Sequence, residues 1–401
     1  MNTTELVALE QKVLLRTYSR PEMIIDHGEG VYLYDQNGKR YLDFVAGIAV
    51  NALGYGDQGL LDVINEQSAK LIHCSNLYHT EPQILFANDL VEHTFADRVF
   101  FSNTGSEAIE GAIKIARKWG AENRGAGCHE IVAFHHSFHG RTYGALSATG
   151  QAKFWDGFAP MLPGIHFAEF NNLDSVAEKV TDKTCAILVE PIQGEGGVNP
   201  GHADFFQGLR ELADERGCLL ILDEIQCGLG RTGKLFAHEW FDITPDILCA
   251  AKPIAGGLPL GAILLSEKAA AAIKPGNHGT TFGGGPLATA AGRYVFNKIR
   301  RPEFLAAVIE KGARLRAGLH QVHLMQPVVT AVRGMGLMAG ADVSCAPQAV
   351  IDACRERGLL VCKAGEKAIR FVPPLIVSET EIDEALNIFS QAIRQAGQKE
   401  G

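Results

Sequence analysis

A chain of 401 residues that is 46% hydrophobic and 21% charged carries enough apolar material for one large core or two domains. Its net charge of -9 and the lack of any Lys/Arg run argue against the basic face of a nucleic-acid binder, and no apolar stretch approaches the roughly 20 residues that cross a bilayer. The opening segment Met1 to Leu6 lacks the basic flank and apolar core of a signal peptide, so a cytoplasmic location is expected, and the nine scattered cysteines, without a Cys-x-x-Cys, read as small buried hydrophobes in a reducing compartment.

In chain order, Val31 to Phe44 holds two alternating runs around Asn37-Gly38, a strong hairpin signal. Phe44 to Gly54 is too glycine-rich for a plain helix and too apolar for a surface loop, which predicts a buried connection near a site. From Arg98 the pattern becomes strand, turn, helix: Val99-Phe100-Phe101, then Ser102 to Ser106, then helical spacing of Ile109, Ala112, Ile113, Ala116 and Trp119. The Thr104-Gly105-Ser106 turn would offer free N–H groups to a phosphate at the positive end of the helix. A plain N-cap with an acidic first turn has the same appearance.

Ile131 to Phe134 predicts the next strand, ending in His135-His136-Ser137-Phe138-His139-Gly140-Arg141-Thr142. Three close histidines invite a metal reading, but no downstream acid or cysteine has ligand spacing, so no metal is expected. Phe138 could stack on a flat ring, and Arg141 could clamp a carboxylate with two hydrogen bonds. Cys185 to Glu190 is another buried strand, with the loop Pro191 to Gly197 at its carboxyl end.

The centre of the chain is Leu219-Leu220-Ile221-Leu222-Asp223-Glu224, four branched apolar residues that deliver Asp223 to the carboxyl edge of a parallel sheet, where such folds place ligands. Gly228 to Leu235 nearly spells a phosphate-binding P-loop, but Leu235 stands where that motif needs Ser or Thr, which excludes nucleoside-triphosphatase activity. A second apolar run, Ile247 to Ala251, ends in Lys252; Pro253 follows and is expected to restrict Lys252 to extended geometry. Gly261 to Leu265 is the last strand before a flexible loop with two hydroxyls, Thr280 and Thr281. Beyond about residue 287 come charged helices at 302–322, a strand pair around 328–343, a helix at 347–357, the stretch Ala368 to Pro374 and a final helix at 378–397.

Alternating strands and helices predict an α/β protein with a mainly parallel central sheet and helices on both faces, plus a smaller α+β domain built from both chain ends. The expected divisions are 1–59 for the N-terminal arm and part of the small domain, 60–290 for the large domain and 291–401 for the C-terminal small domain. A strand-end lysine is partly desolvated, so its free amine is available for Schiff-base chemistry. Paired with a strand-end acid that could keep a pyridine nitrogen protonated, it suggests pyridoxal phosphate.

Several stretches together resemble the class III, or ω-amino-acid, aminotransferases of pyridoxal-phosphate fold type I: Asn103 to Ala108, Ser137 to Thr142, Glu190 to Gly197, Leu222 to Gly233, Ala251-Lys252, Gly279 to Gly284 and Arg370 to Pro374. Phe44 to Gly54 is similar to the acetylornithine and succinylornithine members. The resemblance implies pyridoxal 5'-phosphate held covalently by Lys252, which also moves the proton. It places Asp223 on the pyridine nitrogen, Gln226 on the phenolic oxygen, Phe138 on the ring face, Gly105 and Ser106 on the phosphate, and Thr281 reaching that phosphate from the neighbouring subunit of a homodimer. It further implies that Arg141 takes a substrate carboxylate with Thr280 nearby, and that Glu195 covers Arg370 until glutamate or 2-oxoglutarate arrives. The implied reaction moves the terminal amine of N2-acetyl-L-ornithine to 2-oxoglutarate, with no nucleic-acid or membrane partner. Succinylornithine, free ornithine, succinyldiaminopimelate, another class III activity and a non-catalytic cofactor-binding protein are the alternatives. The chain departs from the family at Pro253, where Ala or Gly is usual, at Gly54 to Gly59, where Gly-His-x-His-Pro is customary, and at Gly285, where Asn is common.

Overall fold

The structure, a computed structural model, describes residues 1–398; the last three residues of the expected 291–401 segment lie outside the described residues. Its centre is a seven-stranded sheet with the spatial order Arg98–Ser102, Gly261–Leu265, Ile247–Ala250, Leu219–Asp223, Thr184–Val189, Glu130–Phe134, Ile165–Ala168. Only Gly261–Leu265 runs against the rest.

Every residue of Thr184–Val189, Leu219–Asp223 and Ile247–Ala250 is buried, which is why these strands are continuous apolar runs. Successive side chains alternate between the two faces. Leu219 and Ile221 join Ala108, Ile109, Ala112 and Ala116 of helix Gly105–Arg124 in one cluster. Leu220 and Leu222 pack on the opposite side with Phe205, Phe206 and Leu209 of helix Ala203–Arg216. Helices therefore cover both faces.

The Asn37-Gly38 turn joins Tyr32–Asp35 to Arg40–Asp43 in an antiparallel hairpin, with Gly38 at φ 79°. Arg40–Asp43 then pairs in parallel with Leu359–Leu360, which binds the start of the chain to its far end. A third sheet, in the order Val329–Met335, Met338–Val343, Ala368–Phe371, Cys362–Ala364, carries Arg370. The connection after Phe44 runs through four left-handed residues, Ala46 to Ala49, with φ between 51° and 65°. Asp43 Oδ1 steadies it by accepting the N–H groups of Val45 and Ala46 at 2.9 and 3.0 Å. The charged helices expected at 302–322 are one helix, Pro302–Met325. No helix among the described residues is long and apolar enough to cross a membrane.

The strands that share one direction all finish on one edge of the sheet. That edge carries Thr104 to Ser106, Ser137 to Arg141, Glu190, Asp223 and Lys252, so sheet order alone gathers segments scattered over about 150 positions.

Helix Gly105–Arg124 seats on the sheet through Gly120, where an added Cβ would meet the carbonyl oxygen of Cys128 and lie 2.7 Å from Cys185 Cβ. Gly120→Ala should overpack this contact and cost about 1–3 kcal/mol. Urea denaturation checks it; a midpoint equal to that of the parent would mean that the helix shifts without cost.

Candidate active site

A cavity of about 330 Å³ opens at this edge, and Ser106, Phe138, Asp223, Gln226 and Lys252 are among its lining residues. Lys252 starts the tight turn Lys252–Ala255 directly after its strand. Its φ is +40°, which corrects the expectation of extended geometry. Proline does disfavour the ordinary helical region for the residue before it. Here, however, Ile254 N–H bonds back to Ala251 O at 3.0 Å, so the chain must turn at once and passes through the left-handed region. Such a conformation costs on the order of 1–3 kcal/mol and persists where packing over-determines it. Desolvation lowers the Lys252 pKa, a shift partly offset by the charges of Glu195 and Asp223.

Asp223 is 4% exposed. Its Oδ2 lies 2.7 Å from His139 Nδ1, and its Oδ1 accepts the Ile225 N–H at 3.1 Å. A buried carboxylate is tolerated only with such partners. His139 is a site residue that sequence reasoning missed, treating it only within a rejected metal cluster. The two residues are 84 positions apart, and only the pairing order of the sheet brings them together.

Glu190 directly follows the central strand Thr184–Val189, and its sequence context alone assigns it no role. It accepts the N–H groups of Phe138 at 2.9 Å and Gly194 at 3.1 Å, and so joins the aromatic wall to the glycine-rich loop that carries Glu195. Burial pushes its carboxyl up to about 7. The Thr104-Gly105-Ser106 turn also borders the cavity, and the N-cap is present. Thr104 Oγ1 caps the helix by accepting the Glu107 N–H at 3.2 Å, while Gly105 and Ser106 line the cavity at the first helical positions, whose N–H groups have no partner within the helix. Gly105 also permits a close approach, since a Cβ there would lie 2.8 Å from Ile225 Cδ1.

Beside the cavity, Arg370 Nη1 donates to Glu195 Oε1 at 2.6 Å and to Gln226 Oε1 at 2.9 Å, and Gln226 Nε2 donates to Glu195 Oε1 at 3.4 Å. Burial acts to raise the Glu195 carboxyl, but Arg370, joined by the Lys252 charge and the Gln226 hydrogen bond, holds it below its usual value. Arg141, Thr280 and Thr281 do not line the cavity of a single chain. Arg141 is exposed, with its guanidinium over the Phe154 ring at 4.1 Å and the Phe138 ring at 5.7 Å. Thr280 reaches the site through Asn103, whose Nδ2 donates to its Oγ1 at 3.2 Å, and Thr281 is exposed on the adjoining loop.

A desolvated amine and a buried carboxylate, with an aromatic side chain and an open helix N-terminus in the same cavity, suit a flat, anionic aldehyde. The family description "Aminotransferase class-III" matches residues 15–393, and the chain belongs to that family. It is 48% identical to the acetylornithine aminotransferase of Gloeobacter violaceus over 384 residues, 95% of each protein. The N-acetylornithine aminotransferase of Stenotrophomonas maltophilia superposes with a TM-score of 0.84 at 36% identity, covering 97% of this chain and 98% of that one. An ornithine aminotransferase from Toxoplasma gondii, described with partial occupancy of PLP at its active site, superposes at 0.96 with 28% identity, covering 99% and 95%.

Glu190 makes stability depend on pH. Its folded pKa of about 7 lies above the ordinary 4.5, so the folded state keeps the proton longer, and the stability this contributes is present below about pH 4.5 and lost as pH rises toward 7. Glu190→Gln removes that titration. The stability of the parent relative to Glu190→Gln, read from urea denaturation of the cofactor-free protein, should fall between those two pH values; a difference that grows with pH would contradict the assignment.

Proposed function

We propose that the chain is a pyridoxal-phosphate aminotransferase that moves the terminal amine of N2-acetyl-L-ornithine to 2-oxoglutarate, giving N2-acetyl-L-glutamate 5-semialdehyde and L-glutamate. The observation that carries this reading is the cavity where Lys252 and Asp223 meet beside the Glu195–Arg370 pair. Identity of 48% and 36% to acetylornithine enzymes, against 28% to an ornithine enzyme, favours an acylated donor.

The cofactor, when bound, supplies an aldehyde that takes up the amine and a protonated ring that stabilises charge at the carbon losing its proton. Asp223, oriented by His139, keeps the ring nitrogen protonated. Gln226 would take the phenolic oxygen, Phe138 would cover a ring face, and the N–H groups of Gly105 and Ser106 would take the phosphate at the helix N-terminus. Lys252, whose amine is neutral at a lower pH than that of a solvated lysine, would anchor the aldehyde, take the proton from the substrate δ-carbon and hand it to the carbon that had been the aldehyde. Arg141 clamps a substrate carboxylate, with Thr280 nearby. Glu195 masks Arg370 for acetylornithine and gives way to the carboxylate of glutamate or 2-oxoglutarate, with which it competes as a charge-assisted partner.

The working form in this reading is a cytoplasmic homodimer in which Thr281 from a second copy of the chain completes the phosphate site. In support, Ile72, Leu77, Tyr78 and Phe282 form an exposed apolar set beside Thr281, with Leu77 at 84% and Phe282 at 66% exposure. Asn76 Nδ2 ties the two segments together by donating to Thr280 O at 3.2 Å and Gly283 O at 2.9 Å. Apolar clusters of this kind mark interfaces.

A donor panel with 2-oxoglutarate tests the substrate. Acetylornithine, succinylornithine, ornithine and succinyldiaminopimelate should divide with acetylornithine first in kcat/KM, and Lys252→Ala should lose turnover with all four by about three orders of magnitude or more. Preference for free ornithine would reject the acylated donor; full activity in Lys252→Ala would reject the mechanism.

A further inference from the structure

Arg370 is a charge in the protein interior, 1% exposed. While its Nη1 serves Glu195 and Gln226, its Nε donates to Cys362 Sγ at 3.3 Å. Sheet register produces that contact. Strand Cys362–Ala364 runs antiparallel to Ala368–Phe371 with Cys362 opposite Arg370, and opposed residues of an antiparallel pair project to the same face. A guanidinium grips a carboxylate with two parallel N–H bonds, either from its Nη1–Nη2 end or from its Nε–Nη2 side. Glu195 stands at the first and the Cys362 thiol at the second.

We propose that Cys362 is a specificity-determining positioning residue: by closing the Nε side of Arg370, it obliges an incoming carboxylate to bind the Nη1 end and displace Glu195. The inference rests on the reading above that Arg370 receives the carboxylate of glutamate or 2-oxoglutarate. Cys362 does not line the cavity that holds Lys252 and acts through Arg370. A thiol suits the task because sulfur is a weak acceptor. It satisfies a buried N–H that would otherwise lack a partner, yet it does not compete as a second carboxylate would. Exchange of one carboxylate for another at Arg370 is thereby tied to movement of the Glu195 loop.

Glutarate, a dicarboxylate with no carbonyl or amine to react, reads this site by calorimetric titration of the cofactor-loaded protein without turnover. In the parent background Glu195→Gln should tighten glutarate by roughly tenfold, because a charged competitor has gone. In a Cys362→Ala background the Nε side is open and glutarate no longer has to displace Glu195, so the gain should shrink to about twofold or less. Cys362→Ser, which restores an acceptor beside Nε, should bring the gain back. Cys362→Gly, which leaves the Nε side at least as open, serves if the alanine variant does not fold and should show the same loss. An equal Glu195→Gln gain in all backgrounds would overturn the role of Cys362, since a thiol that only fills space contributes additively. Arg370→Lys separates the two levels. If it leaves glutarate binding unchanged, or if Glu195→Gln brings no gain in the parent, the reading of Arg370 falls and takes the inference with it. If it weakens binding while the gains stay equal, Cys362 alone is rejected.

Discussion

The site depends on one buried contact, the 2.7 Å approach of Asp223 Oδ2 to His139 Nδ1 beneath the cavity. A carboxylate at 4% exposure is costly unless its oxygens are taken up, and here one is taken by an imidazole and the other by the Ile225 N–H. That contact requires strands Glu130–Phe134 and Leu219–Asp223 to end on the same edge, separated only by Thr184–Val189. The apolar content of the central strands and the helices on both faces hold that alignment.

Charge is handled differently on the two sides of the cavity. Around Lys252 and Glu190, desolvation lowers the pKa of the amine and raises that of the carboxyl, so both groups move toward their neutral forms. Arg370 and Glu195 instead stay charged because they face each other, and Gln226 touches both. Gln226 thus joins the cavity lining to the Arg370–Glu195 pair. The strain at Lys252 belongs to the same design: a residue at φ +40° is retained where the turn Lys252–Ala255 must begin immediately after a buried strand.

Much of this was legible in the sequence because parallel strands buried on both faces appear as unbroken apolar runs. Leu219 to Leu222 and Ile247 to Ala251 announced their strands, and the polar residue ending each run announced the site. The Asn37-Gly38 hairpin was legible because its turn chemistry is local. His139 was not, since its partner is chosen by strand order, nor was Cys362, whose position opposite Arg370 depends on the register of two short strands in another sheet. The backbone of Lys252 was misjudged because a local preference before proline yielded to the turn that follows. The resemblance placed Arg141, Thr280 and Thr281 at the site, whereas none of them lines the cavity of a single chain.

The central claim is that Lys252 is the amine that holds the cofactor while Asp223 governs its ring. Protein reconstituted with pyridoxal phosphate, reduced with borohydride and digested tests it most directly. The account predicts cofactor fixed to one peptide, the one containing Lys252, both in the parent and in Asp223→Asn, where the carboxylate charge is lost but the amine remains. Label on any other lysine in the parent would contradict it.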